Sequence, residues 1–252
     1  MSIVLKENEW AEQMINDKDL GKKPSETMKR VARYYLDKGY SEKEVRRKLD
    51  AFLIACDPLA SLPKWSNSLD YALSRAVKFE AINIDKITIS KTEMDIVDSL
   101  DKVQTKRLAF VLLCLAKYWV AVNPELDGWV VNKDSEIMKL ANVSTSAKRQ
   151  SLMYFTLKEL GLIQFSKKVD NTNVRVNFMD DGEPILEITD FRNLGYQYLM
   201  YHGGPYFVCD NCGIVSKYTV DNNKGSQKYC KECSVKIRTR QHVEAVMRYK
   251  NK

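Results

Sequence analysis

The chain has 252 residues, a length that allows two or three domains with separate apolar cores. With 44% hydrophobic and 29% charged residues and no low-complexity tract or repeat, it has the composition of a globular protein. The longest apolar run, 108–116, is too short to span a bilayer, and the first residues show no signal-peptide pattern. We therefore exclude the fibrous, disordered and membrane-spanning classes and expect a cytoplasmic protein without a membrane partner.

The net charge of +7 is concentrated at one end of the chain. Residues 224–252 contain nine Lys or Arg and two Glu, so the preceding residues are electrically balanced. A localised positive segment attracts phosphate and releases counterions when it binds a nucleic acid. We interpret the segment as a polyanion contact, with Lys236, Arg238 and Arg240 as its DNA-binding cations. The alternative is a solvated terminal helix in which Lys and Arg are simply good helix formers.

The N-terminal region, residues 1–80, is predicted to be helical. Ser25 and Ser41 are expected to cap two of its helices, and Gly39 is expected to end the first. Pro58 and Pro63 are expected to interrupt the chain before a third helix begins. The three helices are predicted over residues 25–39, 41–56 and 66–78. Nothing in this region decides between dimerisation, partner docking and a scaffolding role.

Residues 81–200 are predicted to form a second domain. It opens with a strand at 87–89 and a helix whose capping box is formed by Ser90 and Glu93. The remaining elements are predicted from periodicity and turn signals. In chain order they are a helix over 105–122, a strand at 129–131, a helix over 134–141 capped by Asp134, a helix over 145–160 capped by Ser144 and ended by Gly161, and strands over 162–168 and 174–178 around a turn at 169–173.

This order of helix, strand, helix, turn, helix and hairpin is similar to that of a winged helix-turn-helix. The segment SEIMKLANVSTSAKRQSLMYFTLKELGLIQF resembles the pattern in which LA-x-V-S ends a short helix and L-x-x-L-G-L-I leads into the wing. The resemblance covers about residues 105–190, which is less than half of the chain. It implies a domain that binds DNA or, in some members, protein.

The resemblance makes residues 145–160 the recognition helix. Its first turns would enter a major groove, where Arg149 or Lys148 would bond guanine and Gln150 would bond adenine. The wing would contact phosphate or the minor groove. The DNA-binding residues implied are Thr145, Ser146, Lys148, Arg149 and Gln150 on the helix and Lys167, Lys168, Asn171, Asn173 and Arg175 on the wing.

The apolar positions of this helix leave an alternative open. The resemblance turns Ala147, Leu157 and Leu160 inward, together with Met153 or Tyr154. Phe155 extends this apolar cluster, which would equally suit packing against a partner domain. A Lys-Arg pair on an exposed helix face is also unremarkable by itself.

The C-terminal region, residues 201–252, contains a candidate metal centre. Cys209, Cys212, Cys230 and Cys233 follow the spacing C-x2-C, seventeen residues, C-x2-C, which is typical of a zinc site with four thiolate ligands. A redox or disulfide pair is the alternative, but the paired spacing and the absence of a secretory pattern disfavour it. Because a closed four-thiolate site leaves no position for water or substrate, we expect one structural Zn²⁺ and no metal catalysis.

The residues around the cysteines suggest how such a module folds. Gly213 suits a turn with positive φ, residues 214–220 are predicted to be a strand, and 221–225 have turn chemistry. Residues 227–230 would return as a second strand, and a basic helix would follow with Cys230 and Cys233 at its first turn. This arrangement is similar to a treble clef, with a zinc ribbon as the alternative. The combination with a winged helix resembles phage or mobile-element DNA-binding proteins.

The expected fold class is α+β, mainly α. We expect no enzyme, because the chain contains no nucleotide-binding, serine-hydrolase or zinc-protease motif. His202 is expected in a linker and His242 on the terminal helix. Residues 180–183 are interpreted as a turn, and a nuclease built from acidic residues scattered along the sequence is the disfavoured alternative.

Two functions remain open. One is double-stranded DNA binding for transcription regulation or replication initiation, which would place the protein on the nucleoid. The other is an interaction adaptor, for example a phage factor that binds and modulates a host polymerase or defence enzyme. The second is favoured by the aromatic segment 191–207, which would form an exposed apolar patch.

Overall fold

A computed structural model describes residues 3–167, 173–219 and 226–250. These residues form an α+β structure that is mainly helical, which confirms the expected fold class. The chain divides into two compact units, Val4–Asp85 and the residues from Lys86 onward. Among the described helices, none combines the length and the apolar character needed to cross a membrane.

Four helices pack around one apolar core in the first unit. Val31, Leu49, Leu53 and Leu69 are fully buried in that core. The sequence pattern missed the first helix, because it is short and bounded by no clear capping residue at its start. The four helices are α1 (Glu7–Asp17), α2 (Pro24–Asp37), α3 (Glu42–Cys56) and α4 (Leu62–Lys78).

The caps of these helices match the predictions only in part. Ser41 forms the expected capping box with Glu44, and both hydrogen bonds of the box are present. The prediction for Ser25 was wrong, since α2 begins one residue earlier at Pro24. Pro63 lies in the first turn of α4 instead of interrupting the chain, because proline lacks only an N–H that is unpaired there anyway.

A buried carboxylate connects α1 to α2. Glu7 is 3% exposed, and one of its oxygens accepts a hydrogen bond from Arg30 Nε at 3.0 Å. Its other oxygen lies 2.8 Å from a guanidinium nitrogen of Arg33. A carboxylate removed from water is tolerated only where such partners replace its hydration.

Replacing Glu7 should therefore destabilise the first unit strongly. In Glu7→Gln the amide keeps the side-chain volume, but Arg30 stays buried without its carboxylate partner. We expect a loss of about 3–5 kcal/mol in the free energy of unfolding, measured by urea denaturation. Glu9→Gln is the matched control on the exposed face of the same helix and should change stability by less than about 1 kcal/mol. Equal losses in the two variants would contradict this assignment.

The second unit is built around one apolar helix, α6 (Val103–Val122). Every residue from Leu108 to Ala116 is fully buried, so the helix is enclosed on all sides along this stretch. The other elements described are β1 (Ile87–Ser90), α5 (Lys91–Asp98), a 3-10 turn (Pro124–Leu126), β2 (Trp129–Val130), α7 (Asp134–Leu140), α8 (Ala147–Glu159), β3 (Ile163–Phe165), β4 (Val174–Val176), β5 (Pro184–Ile188), α9 (Leu194–Tyr201), β6 (Tyr206–Val208), β7 (Val215–Lys217) and α10 (Lys231–Lys250).

Three small antiparallel sheets accompany these helices. One has the order β2-β4-β3, in which Trp129 and Gln164 both lie opposite Arg175. A second pairs β1 with β5, a strand that the sequence analysis missed. The third pairs β6 with β7. The predicted strand over 227–230 was wrong, because β7 pairs with the strand before the first cysteine pair.

The caps of the two helices around the turn at Asn142 differ from the prediction. The helix expected from 145 begins at Ala147, with Ser146 instead of Ser144 at the N-cap position. Asp134 is the first residue of α7 and not its cap. Its carboxylate accepts a hydrogen bond from the hydroxyl of Tyr154 at 3.3 Å. The expected terminator Gly161 is confirmed, with φ +72°.

Burial along α8 follows the prediction at three positions and departs from it at two. Met153, Tyr154 and Leu157 are buried as expected. Ala147 is exposed and Leu160 is 57% exposed; the first begins the helix and the second directly follows its last residue.

The aromatic segment 191–207 is core and not an exposed patch. Phe191, Leu194 and Phe207 are buried, and the ring of Tyr198 packs against Phe110 of α6 with the ring centroids 5.4 Å apart. The prediction of an apolar patch was wrong because the segment contains a helix, α9, that covers α6. His202 follows the last turn of α9, and its Nε2 lies 3.1 Å from a carboxylate oxygen of Asp98.

Candidate metal centre and nucleic-acid interface

The four cysteines converge although they lie on three separate elements. Cys209 and Cys212 lie between β6 and β7, Cys230 directly precedes α10 and Cys233 lies in its first turn. The four sulfur atoms lie within 4.8 Å of one another, and Cys212 Sγ is 3.8 Å from Cys230 Sγ. Four thiolates about 2.3 Å from a central ion stand about 3.8 Å apart. The sulfurs are therefore close enough to hold a metal ion.

Hydrogen-bond donors point at the sulfur atoms from the surrounding chain. The N–H of Cys230 donates to Cys209 Sγ at 3.2 Å, and the N–H of Cys233 donates to Cys230 Sγ at 3.5 Å. The Asn211 amide donates to Cys233 Sγ at 3.3 Å. Gly213 has the expected positive φ, +74°. Such donors favour the charged form of sulfur, as at other helix N-termini.

The pKa values of the thiols differ because burial and hydrogen bonding act on them unequally. Burial raises the pKa of Cys209, but the N–H groups of Cys230, Asn211 and Cys212 together lower it to about 6. Burial raises the pKa of Cys212 to about 12 and also raises that of Cys230. Four adjacent thiolates are thus not stable alone, and a bound metal ion would supply the compensating charge.

Two residues before α9 attach the cysteine hairpin to the rest of its unit. A guanidinium nitrogen of Arg192 donates to the carbonyl of Cys212 at 2.5 Å, and Asp190 holds the same guanidinium. The amide of Asn193 donates to the carbonyl of Val215 at 2.9 Å. The sequence analysis missed both residues, because their partners are backbone atoms about twenty positions away.

The basic helix α10 extends from the cysteine cluster into solvent. From Val235 to Tyr249 every side chain except Ile237 is exposed. Lys236, Arg238 and Arg240 are among them, and Arg240 lies 3.3 Å from the carboxylate of Glu244. The helix therefore presents positive charge to solvent, and two of the four cysteines lie at its start.

The predicted recognition residues of α8 fall into two groups. Ser146, Lys148 and Arg149 are exposed at its start. Thr145 is half-buried, and its carbonyl accepts a hydrogen bond from the Gln150 amide at 3.0 Å. Gln150 would have to release this bond before it could contact a base.

The outward face of α8 changes character beyond its first turn. Lys148 is followed on the same face by Leu152 and Phe155, which are 56% and 52% exposed. The helix therefore presents cations at its N-terminal end and apolar side chains further along.

The predicted wing residues are described only in part. Arg175 lies on β4 and is paired with Asp127: its Nε donates to the Asp127 carbonyl at 2.8 Å and Nη2 to the Asp127 carboxylate at 2.6 Å, an exposed pair that a phosphate contact would have to replace. Lys167 is exposed and Asn173 is half-buried. Lys168, Asn171 and the predicted turn at 221–225 lie outside the described residues.

No family model, curated protein or solved structure matches this chain. Its function is therefore inferred from the chemistry of the cysteine cluster and from the exposed cations of α8 and α10.

The full chain should keep a thiophilic metal ion through purification. In Cys212→Ser the replacement hydroxyl is a harder donor that does not ionise, so we expect the metal content to fall to near zero. Cys56→Ser is the matched control, because Cys56 lies on α3 and not in the cluster. Elemental analysis of the purified proteins measures both. A full complement of metal in Cys212→Ser would remove Cys212 from the ligand set.

Proposed function

We propose that this protein binds double-stranded DNA in transcription regulation or replication initiation, as a cytoplasmic protein associated with the nucleoid. The observation that carries the proposal is the position of the cysteine cluster at the first turn of α10. A metal ion there would fix one end of a helix whose cations, Lys236, Arg238 and Arg240, are all exposed. Such a helix presents its positive charge where the phosphates of a duplex can reach it.

We infer that the metal is one structural Zn²⁺. Four thiolates in a tetrahedral arrangement are the preferred ligand set of Zn²⁺, and they leave no open position for a reacting water. One cysteine pair lies in a hairpin and the other at the start of a helix, which supports the treble-clef type over a ribbon. The apolar cluster around the sulfurs adds only Ile214 among the described residues. Metal binding would therefore supply most of the folding energy of this module, on the order of 10 kcal/mol.

We also infer that residues 103–176 are a winged-helix reader. Support comes from the chain order α6, β2, α7, α8, β3, β4 and from the sheet order β2-β4-β3, which joins the hairpin to the strand after α6. In such a domain the N-terminal residues of the second helix after the short strand contact base edges. Lys148 and Arg149 hold these positions on α8 and are exposed.

Removing the cations of α10 should weaken binding to all duplexes alike. We expect the triple variant Lys236→Gln, Arg238→Gln, Arg240→Gln to reduce the slope of log K against log salt by about 0.9 for each phosphate that the helix no longer neutralises. A variant with the same change in charge, Lys43→Gln, Arg47→Gln, Lys64→Gln, is the control, since these exposed residues lie on α3 and α4. Fluorescence anisotropy across a salt series measures the slopes. Indistinguishable slopes for the two variants would exclude α10 from the interface.

Replacing Arg149 should instead reduce discrimination between sequences. If its guanidinium makes a bidentate base contact, Arg149→Ala costs about 1–3 kcal/mol on a preferred site and little on random duplex. The site is obtained by selection from randomised DNA. Lys158→Ala, in the last turn of the same helix, is the control and should leave the ratio of the two affinities unchanged. Equal losses on both duplexes would assign Arg149 to the phosphate backbone.

The interaction adaptor is the second candidate, and the exposure of Leu152 and Phe155 favours it. A pair of apolar side chains on an outward helix face suits a protein partner better than phosphate. The salt series separates the two functions. If the wild-type protein binds no duplex DNA even at low ionic strength, the proposal of DNA binding is wrong and the adaptor function is favoured.

A further inference from the structure

Two asparagine side chains connect the cysteine hairpin to the turn that precedes α8. Asn142 lies in that turn, and its amide nitrogen donates to the side-chain oxygen of Asn193 at 3.0 Å. The amide nitrogen of Asn193 in turn donates to the carbonyl of Val215 in β7 at 2.9 Å. A chain of two hydrogen bonds therefore runs from the strand after Cys212 to the start of the candidate recognition helix.

The orientation of the Asn142 amide is fixed by a further contact. The side-chain oxygen of Asn142 accepts a hydrogen bond from the backbone N–H of Tyr196 at 3.2 Å. The backbone carbonyl of Asn142 accepts one from the guanidinium of Arg107 at 3.2 Å. Rotating the Asn142 amide would place its nitrogen against a donor and its oxygen against an acceptor. Asn142 and Asn193 also share an uncommon backbone conformation, with φ of 53° and 54°. Asparagine is one of the few residues other than glycine that adopts it readily.

The backbone around this link is packed without free space. A side chain added at Gly195 would place its Cβ 2.0 Å from the carbonyl oxygen of Ala141. The start of α9 therefore lies directly against the residue before Asn142. Since Arg192 also holds the carbonyl of Cys212, a displacement of the hairpin would be passed to the turn and not absorbed between them.

We propose that Asn193 and Asn142 are positioning residues that couple metal binding at the four cysteines to the order of the α7–α8 turn and the start of α8. With the metal bound, the hairpin is cross-linked to α10, and the Val215 carbonyl is held in place for Asn193. Without the metal, the hairpin loses this cross-link and the turn loses a fixed acceptor. If α8 also reads DNA, a disordered turn would lower the DNA affinity of α8. This effect on DNA affinity rests on the proposed function, whereas the coupling itself does not.

The coupling is reciprocal. A factor by which metal binding improves DNA affinity at α8 must equal the factor by which DNA improves metal affinity at the cysteines. Couplings of this kind commonly amount to about 5- to 150-fold. We expect the low end of this range, because the link contains only two hydrogen bonds and is partly exposed to solvent.

Amide hydrogen exchange over residues 142–150 of the full chain tests the coupling. In the wild-type protein, we expect removal of the metal with a chelator to speed exchange of these amides by about 5-fold or more. In Asn193→Gly the left-handed backbone is kept and only the amide is removed. Exchange in that variant should be faster with metal present and should change little when metal is removed. A role in stability alone would leave the ratio of the two rates as in the wild type, and that result would overturn the proposal.

A further variant tests which atom of the Asn193 side chain carries the link, and a second variant is its control. Asn193→Asp keeps an acceptor for Asn142 but loses the donor to Val215, so it should uncouple the sites as Asn193→Gly does. Lys18→Gly is the matched control, because Lys18 also has a left-handed backbone, with φ of 51°, but lies in the other unit. It should keep the wild-type dependence on metal. If Asn193→Gly fails to fold, Asn142→Gly provides the same test from the other end of the link.

DNA titrations of the same proteins distinguish a failure of the coupling from a failure of the proposed DNA binding. Metal-dependent exchange at α8 together with no duplex binding would leave the coupling in place and refute the proposed function. If the wild type binds duplex DNA but amide exchange at α8 does not change when the metal is removed, the coupling is refuted and the proposed function is not. If both hold, the ratio of the affinities of Asn193→Gly for a preferred site and for random duplex should no longer depend on the metal, whereas the phosphate contacts of α10 should still depend on it.

Discussion

The close approach of four cysteine sulfur atoms that are largely removed from water is the constraint on which the C-terminal part of this protein depends. Burial opposes ionisation of Cys212 and Cys230, while the N–H groups around Cys209 favour it. A cation between the sulfurs would resolve this conflict, because it would permit all four to be charged and would join the hairpin to α10. Without the cation, little apolar packing remains to hold the hairpin and the helix together, since Ile214 is the main apolar neighbour described at the cluster.

The rest of the second unit is stabilised by burial around α6. Lys117 directly follows the enclosed apolar stretch of α6. Because its side chain is only 13% exposed, its charge needs partners within the protein. The Lys117 ammonium lies 2.7 Å from the fully buried carboxylate of Glu93 and donates to the carbonyls of Thr88 and Asp180 at 2.9 Å each. Glu93 also closes the capping box of Ser90. One buried pair thus fixes β1, α5 and the chain before β5 against the central helix.

Local chemistry made some of these features predictable from sequence. The capping boxes at Ser41 and Ser90, the terminator Gly161, the cysteine spacing and the order of elements from α6 to β4 all depend on residues close together in the chain. Features set by distant residues were missed. The partner of β7, the burial of 191–207 and the ion pair of Arg175 with Asp127 each depend on a fold that periodicity does not encode. Asn142 and Asn193 gave a weak signal only, because asparagine is common in ordinary turns.

The two candidate functions need not compete for the same residues of α8. A recognition helix enters a major groove by its N-terminal end, so only the residues near its first turn reach base edges. On α8 those residues are Lys148 and Arg149, whereas Leu152 and Phe155 lie one and two turns further along the same face. A groove that accepts the first turn would leave the apolar pair near its rim. Under the proposed function, that pair would be free to contact a protein bound beside this one on the DNA, and the positive charge of α10 would keep both near the duplex.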